Sequence, residues 1–145
     1  MLGETYKLHE FEHSTLFWFV SEGVKGNITK IILFTQNEGE PWNLGFGDYL
    51  QGEIHDSVVS NNQDLRKIMF TVAEATYRFL ATHPGSVILI QPIDERRKSL
   101  YNLIFQKRWH EIELAFHIEG WSGDVKEPYS PNKMYDAFEI QSRNK

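Results

Sequence analysis

One stretch, residues 60–82, constrains the fold more than any other, because its apolar side chains recur at the three- and four-residue spacing of one helical face. The apolar face comprises Leu65, Ile68, Met69, Val72, Thr76, Phe79 and Leu80. The polar side comprises Gln63, Asp64, Lys67, Thr71, Glu74 and Arg78. Ser60 and Gln63 form a capping box, and Pro84 ends the helix. We expect a long amphipathic helix with a core-facing side, and we expect Val72→Asp to unfold the protein.

Three strands are predicted before this helix. Residues 15–21, 28–36 and 42–50 are rich in apolar side chains and are separated by glycine-bearing or polar turns. Residues 6–12 are expected to be an edge strand or an extended arm. The strand at 15–21 is apolar on both faces, so we expect either a cover on both sides or a partner.

Strands and helices alternate after the long helix. The sequence predicts a buried strand at 86–91, a helix capped by Asp94 that runs to about residue 108, and closing strands at 111–119 and 135–142. A strand–helix–strand unit requires parallel pairing, whereas hairpins are antiparallel. The prediction is therefore an α+β fold in the order β-β-β-α-β-α-β-β. We expect one domain over residues 1–145, with a mixed, mostly antiparallel sheet and two helices packed on it.

Composition limits the classes of partner, the kinds of metal site and the cellular location that we expect for the protein. The net charge of −5 argues against a nucleic-acid partner, and the absence of cysteine excludes disulfides and thiolate metal sites. The longest apolar runs, residues 16–20 and 87–90, fall far short of the ~20 residues that a membrane helix needs. The amino terminus lacks a signal-peptide pattern. We expect a soluble, cytoplasmic protein without membrane contact.

No complete catalytic or metal-binding set of residues stands out. His110 and His117 are seven positions apart, so in a continuous strand they would point to opposite faces. His55, Asp56 and Ser57 supply triad residue types, but consecutive residues cannot adopt the triad geometry. We therefore expect no metal and no cofactor, and this pattern favours a protein that is not an enzyme.

Two local features indicate a ligand site. Gly45 and Gly47 share one face of the third strand and leave bare backbone that another group can approach. Asn61 and Asn62 lie at the predicted start of the long helix, where free amides and the helix dipole favour anions or carbonyl groups. The alternative for the asparagines is capping and turn formation alone.

A third feature is the basic turn formed by Arg96, Arg97 and Lys98 at the start of the second helix. Cations there oppose the helix dipole, so this turn is a candidate site for an acidic partner or a phosphate. The alternative is a solvated basic turn. We expect the glycines, the asparagines and Arg97 to converge on one recess.

Aromatic side chains exceed what one small core readily hides. The excess comprises Phe17, Trp18, Phe19, Trp42, Phe46, Trp109, Trp121 and Tyr129. We expect some of them to form an exposed apolar patch, the usual sign of a protein partner; the alternative is that they fill the core. A predicted loop at 121–133 is long for a compact domain, which also favours a protein partner.

Four short sequence segments carry a resemblance that covers nearly the whole chain. They are residues 19–23 (FVSEG), 43–48 (NLGFGD), 59–62 (VSNN) and 135–138 (YDAF). They resemble an uncharacterised bacterial family of small proteins that is known only as a domain of unknown function. The resemblance implies no activity.

The order of elements also resembles the GNAT-type acetyltransferases. Residues 99–105 resemble the helix of that family whose tyrosine often acts as general acid, and the resemblance implies that role for Tyr101. The glycine-bearing coenzyme A loop of the family has no counterpart, because residues 56–62 contain no glycine. The resemblance implies a GNAT-like fold without that loop.

Taken together, these observations favour a non-enzymatic module that binds a protein partner or forms a homodimer. The alternative is a degenerate GNAT-like acyltransferase or a binder of a small anionic ligand. Its site residues would be Gly45, Gly47, Asn61, Asn62, Arg96, Arg97 and Tyr101.

Overall fold

The computed structural model of the protein describes residues 4–50, 53–55 and 64–143. The fold is α+β with mixed, mostly antiparallel strand pairing, as predicted. Backbone packing divides the chain into two compact units. Unit 1 comprises Met1–Thr35 and Leu44–His83, and unit 2 comprises Gln36–Asn43 and Pro84–Lys145. The single domain over residues 1–145 stays a prediction.

Unit 1 is a meander of antiparallel strands with one helix. Its strands are β1 (His9–Phe11), β2 (Leu16–Gly23), β3 (Gly26–Gln36), most of β4 (Trp42–Leu50) and β5 (Glu53–His55), and its helix is α1 (Leu65–Thr82). The strand order is β1-β2-β3-β4, with β5 paired to β4. The three predicted strands before the helix are thus confirmed, and the arm at 6–12 contributes the short strand β1.

Helix α1 packs its buried side on the β2–β3 hairpin. The Phe79 ring stacks on the Phe34 ring with centroids 4.3 Å apart. Phe17 and Phe19 of β2 are completely buried on the same side of the hairpin as Phe34, as the strand period of two requires. The aromatic side chains of this core come from elements that are far apart in sequence.

The start and the facing of α1 differ from the prediction. The helix begins at Leu65 with Asp64 as its N-cap, whereas Ser60 and Gln63 lie outside the described residues. Leu65 is 46 % exposed, and Thr71, predicted to face water, is completely buried. The reason is a hydrogen bond: the Thr71 hydroxyl accepts from the backbone N–H of Tyr6 at 2.8 Å.

Because the buried face of α1 differs from the predicted face, a different position is needed to test the core by mutation. Val72 is only half-buried, so it is not the fully buried position that the prediction for Val72→Asp assumed. Ala75 and Phe79 are completely buried instead. Of the predicted apolar face, Phe79 is in the core and Leu65 is not.

Unit 2 contains the second helix and four further strands. They are β6 (Ile88–Ile90), α2 (Glu95–Ala115), β7 (Phe116–Ser122), β8 (Val125–Pro128) and β9 (Ala137–Ser142). The order is β6-β9-β7-β8, all antiparallel, and Trp42 and Asn43 of β4 pair parallel with β6. The parallel pairing across a strand–helix–strand connection is the predicted one.

Helix α2 starts where the sequence indicates but ends later. The Asp94 side chain accepts from the Arg97 backbone N–H at 2.8 Å, which confirms the predicted cap. The helix continues to Ala115, so the prediction of an end near residue 108 and of a strand from residue 111 was wrong. Residues 111–115, EIELA, are mostly good helix formers, and a stretch this short does not distinguish the period of a helix from that of a strand.

The predicted loop at 121–133 is also corrected. Its first part is a hairpin, in which Trp121 of β7 pairs with Lys126 of β8 around a turn at Gly123. Gly123 has a φ of +58°, a conformation that glycine adopts without strain. The Asp136 carboxylate accepts from the Gly123 N–H at 2.7 Å, which fastens the turn to the chain before β9.

Gly120 makes room for an aromatic ring in unit 2. A Cβ atom at this position would lie 2.6 Å from two atoms of the Tyr135 ring. That ring is 1 % exposed, and its backbone N–H and C=O are both held by the Asn102 side chain, at 2.8 and 2.9 Å. The tyrosine therefore has little freedom to move away.

We expect Gly120→Ala to lower the free energy of unfolding by about 1–3 kcal/mol, the usual cost of overpacking. Urea denaturation measures the change. Gly45→Ala is the matched control, because a Cβ there would lie 3.6 Å from the Leu33 carbonyl oxygen, an ordinary contact. Equal stability of the two variants would contradict the proposed role of Gly120.

Neither helix, within the described residues, is long and apolar enough to cross a membrane.

Candidate functional site

The predicted site residues on β4 and α1 are the first to be located. Gly45 is exposed and Gly47 is buried, so the two glycines do not form a uniformly bare strip. Asn61 and Asn62 lie outside the described residues. The anion site at the start of α1 therefore stays a prediction.

The predicted basic turn lies in unit 2, in the first turn of α2. The Arg97 guanidinium turns back onto Asp94, with Nη1 2.5 Å from Oδ2, and the residue is largely buried. Lys98 pairs with Asp136 at 2.7 Å. This hydrogen bond raises the pKa of the Lys98 amine and lowers that of the Asp136 carboxyl. Arg97 thus pairs with the N-cap of its own helix, and Lys98 links α2 to the segment before β9.

Arg96 is exposed and Tyr101 is half-buried on the same helix. The convergence of these residues with Gly45, Gly47 and the asparagines stays a prediction, as does the general-acid role that the GNAT resemblance implies for Tyr101.

A buried polar cluster in unit 1 was missed by the sequence reasoning. The Tyr6 hydroxyl donates to Asp64 Oδ2 at 2.5 Å, and the Ser21 hydroxyl donates to the same oxygen. Burial, and then the hydrogen bond to Asp64, raise the pKa of the Tyr6 hydroxyl. The cluster ties the amino-terminal arm to β2 and α1. No sequence signal marked it, because Asp64 fits the solvent side of an ideal helix.

A second buried polar pair lies between β3 and β4. The Lys30 amine contacts the Asp48 carboxylate, and both side chains are 3 % exposed. The amine also lies 5.9 Å from the centroid of the Phe46 ring. Both charges are compensated within unit 1.

The opposite face of the β1–β2–β3 sheet is apolar and partly accessible to solvent. Register places side chains from the three strands in adjacent rows, with Phe11 beside Leu16 beside Leu33 and His9 beside Trp18 beside Ile31. Val20 and Thr29 form the next row. We call this surface the β1–β3 patch: His9, Phe11, Leu16, Trp18, Val20, Thr29, Ile31 and Leu33.

Exposure separates the two faces of this sheet. Phe17, Phe19 and Ile32 on the α1 side are completely buried. The side chains of the β1–β3 patch are all partly accessible, and Phe11 is 52 % exposed.

The predicted aromatic excess is largely accounted for. Of its eight members, Phe17, Phe19 and Tyr129 are buried and the other five are half-buried. Burial raises the pKa of Tyr129 to about 12, with Tyr135 adding to the effect. Only Trp18 belongs to the β1–β3 patch, where its ring stacks on His9 at 3.9 Å. The sequence feature that predicts the patch is the presence of apolar residues on both faces of β2, not the number of aromatic residues.

Unit 2 carries a polar network around a buried carboxylate. Glu139 of β9 accepts from the Trp121 indole N–H at 2.7 Å and contacts the Lys126 amine at 3.4 Å. Glu119 stands directly opposite it on β7, and the His117 ring lies 4.0 Å from Glu119. Within the described ranges, no group of three or more His, Asp or Glu side chains is placed to hold a metal ion.

Comparison with known proteins adds one finding. Residues 3–143 match a protein family described as "Family of unknown function (DUF6934)". No curated protein matches the chain, and no solved structure does either.

Proposed function

The chain belongs to this family of unknown function, and we propose from its geometry that it is a non-enzymatic protein-binding module that self-associates. The observation that carries the proposal is the β1–β3 patch, a three-stranded apolar sheet face that α1 does not cover. Contiguous exposed apolar surface of this kind marks interaction sites in soluble proteins.

The chemistry of the patch favours an apolar, flat partner. On this face β2 contributes Leu16, Trp18 and Val20, and β3 contributes Thr29, Ile31 and Leu33, so neither strand places a charged side chain in the patch. Desolvating this surface costs little, since Thr29 is its sole polar member between those strands. A charged or strongly polar partner would gain nothing there.

A second copy of the chain meets this requirement. Two identical sheet faces can pack on each other about 10 Å apart around a two-fold axis, so that each patch covers its equivalent. Each chain carries a net charge of −5, so two copies repel one another at long range. Added salt screens that repulsion and should strengthen the dimer, whereas it would weaken a complex held by opposite charges.

We expect the wild-type protein to pass from 17.0 kDa toward twice that mass as its concentration rises. We expect Ile31→Lys to weaken this association at least tenfold, because the dimer would bury two unpaired ammonium groups. Size-exclusion chromatography with light scattering measures both effects. Val125→Lys is the control, since Val125 is apolar and 61 % exposed but lies outside the patch.

A wild-type protein that stays monomeric at every concentration would overturn the proposal. Equal weakening by the two lysine variants would show that the β1–β3 patch is not the contact surface. We keep a cytoplasmic location as part of the proposal. The degenerate acyltransferase and the small-anion binder stay predictions, because no geometry described above favours them.

A further inference from the structure

The turn between β1 and β2 has a strained backbone. Its residues Glu12, His13 and Ser14 have φ angles of +52°, +55° and +64°. None of the three is glycine, and a Cβ atom raises the energy of this left-handed conformation. In the part of the chain that the structure describes, they are the only residues other than glycine with a positive φ. Backbone strain of this kind is therefore concentrated in one short turn of unit 1.

A few local hydrogen bonds hold the turn in this conformation. The backbone N–H and the hydroxyl of Thr15 donate to the Glu12 carbonyl oxygen at 3.2 and 2.7 Å. The Ser14 hydroxyl donates to the Glu10 carboxylate. Opening the turn would exchange these local bonds for bonds to water and would release the strain.

The segment before the turn, residues 4–11, is anchored to the rest of unit 1 by Tyr6. This residue is 8 % exposed, and its ring stacks on the Phe19 ring with centroids 5.5 Å apart. Its backbone N–H donates to the Thr71 hydroxyl at 2.8 Å, and its own hydroxyl donates to Asp64 at 2.5 Å. A Tyr6 from a second copy of the chain would make the same contacts, because they require only that the segment lies in this place.

The sequence of the turn allows it to straighten. Residues 11–16 (FEHSTL) contain neither proline nor glycine, so β1 and β2 can continue into one another as a single strand. In the described fold β1 pairs antiparallel with β2. Two straightened copies around a two-fold axis would place β1 of each copy beside β2 of the other, with the same antiparallel pairing.

We propose that two copies of the chain form a dimer by exchanging residues 4–11. In this dimer Tyr6 of each copy lies between β2 and α1 of the other copy. The contacts of the segment are retained and the strain of both turns is released, and a short, strained connection favours such an exchange. The inference does not rest on the proposed function, because Tyr6 packs on the α1 side of the sheet, whereas the β1–β3 patch is the opposite face.

A cross-link between Glu4 and Lys67 detects the exchange. Their side chains form an ion pair at 3.0 Å and are 81 % and 32 % exposed, so a carbodiimide can join them through an amide bond. Unlabelled and isotope-labelled protein are mixed, unfolded in urea and refolded together at high concentration. In the dimer fraction we expect about half of these links to join an unlabelled to a labelled chain, the result of random pairing of copies. The monomer fraction should contain no such hybrid links.

Three variants test the role of the strained turn. Glu12→Gly should lower the dimerisation constant of the exchanged form at least about fivefold, because glycine relieves the strain in the monomer. Glu38→Gly is the matched control: it removes the same charge in an exposed turn, at a residue without a positive φ, and should change the constant less than about twofold. His13→Pro should raise the exchanged fraction, because proline cannot adopt a positive φ.

The outcomes separate this inference from the face-to-face contact proposed above. Dimers without hybrid links would overturn the exchange and leave the β1–β3 patch as the contact surface. Hybrid links that persist in Ile31→Lys would support the exchange without that patch, and the absence of any dimer after joint refolding would contradict both proposals. Equal dimerisation of the Glu12 and Glu38 variants would contradict a driving force from the strained turn. If His13→Pro does not fold, these two glycine variants decide.

Discussion

Replacing Lys30 with Met is expected to lower the free energy of unfolding by about 3–5 kcal/mol. The substitution leaves the Asp48 carboxylate charged and unpaired at a position where both side chains are 3 % exposed. Asp48→Leu alone should also destabilise the fold, because it removes the carboxylate that compensates the buried Lys30 ammonium group. Urea denaturation of each variant gives the free energies.

The double variant Lys30→Met/Asp48→Leu provides the decisive comparison. Removing both charges removes the penalty of burying them, so its stability should return close to that of the wild type. Lys7→Met is the surface control, because Lys7 is exposed and should change stability by less than about 0.5 kcal/mol. A single Lys30 variant as stable as the control would show that the pair is not buried as described.

Replacing Phe79 with Ala is expected to cost about 3–5 kcal/mol of stability, the range for deleting a buried aromatic side chain. Phe79 is completely buried, and its ring stacks between Phe34 at 4.3 Å and His83 at 4.4 Å. Because α1 joins the core of unit 1 through this ring, the cavity would open where helix and sheet meet. Thermal and urea unfolding both report the loss.

Leu65→Ala is the matched control for Phe79→Ala. The apolar periodicity of the sequence assigned both side chains to one face, but Leu65 is exposed for nearly half its surface. We therefore expect this variant to lose less than about 1 kcal/mol. Equal losses at the two positions would support the sequence-derived face and contradict the observed one.

Much of the fold was predictable because its elements carry strong local signals. Residues 42–50 were predicted as a strand, and β4 has these bounds. Asp94 was predicted as a cap, and its side chain caps α2. In both cases the physical cause is local: period-two alternation in one and a side chain that accepts from a nearby N–H in the other.

The errors arise where a distant contact overrides local preference. Asp64 and Thr71 look like solvent-facing helix residues, yet both bond to Tyr6, which lies about sixty positions earlier in the chain. Single-sequence periodicity contains no information on such a partner. The β7–β8 hairpin is different, because Gly123-Asp124 between two strand-like segments is a recognisable turn signal that the sequence reading passed over.

The candidate sites show the same division. Apolar residues on both faces of β2 predicted a second cover or a partner, and the β1–β3 patch lies on that second face. A cleft in unit 2 lined by Gln36, Glu40, Ser86 and Glu139 was not predictable from any one strand. Its lining comes from the turn at Gln36–Glu40, the loop at Ser86 and β9, which only the fold brings together.

The most direct test of self-association through the β1–β3 patch is chemical cross-linking of a single introduced cysteine. The chain has no cysteine, so Ile31→Cys places one thiol at the centre of the patch. With a short bifunctional maleimide, two copies packed face to face should give a covalent dimer at concentrations where Val125→Cys gives almost none. Equal, slow cross-linking of the two variants, at the rate of random collision, would contradict the account.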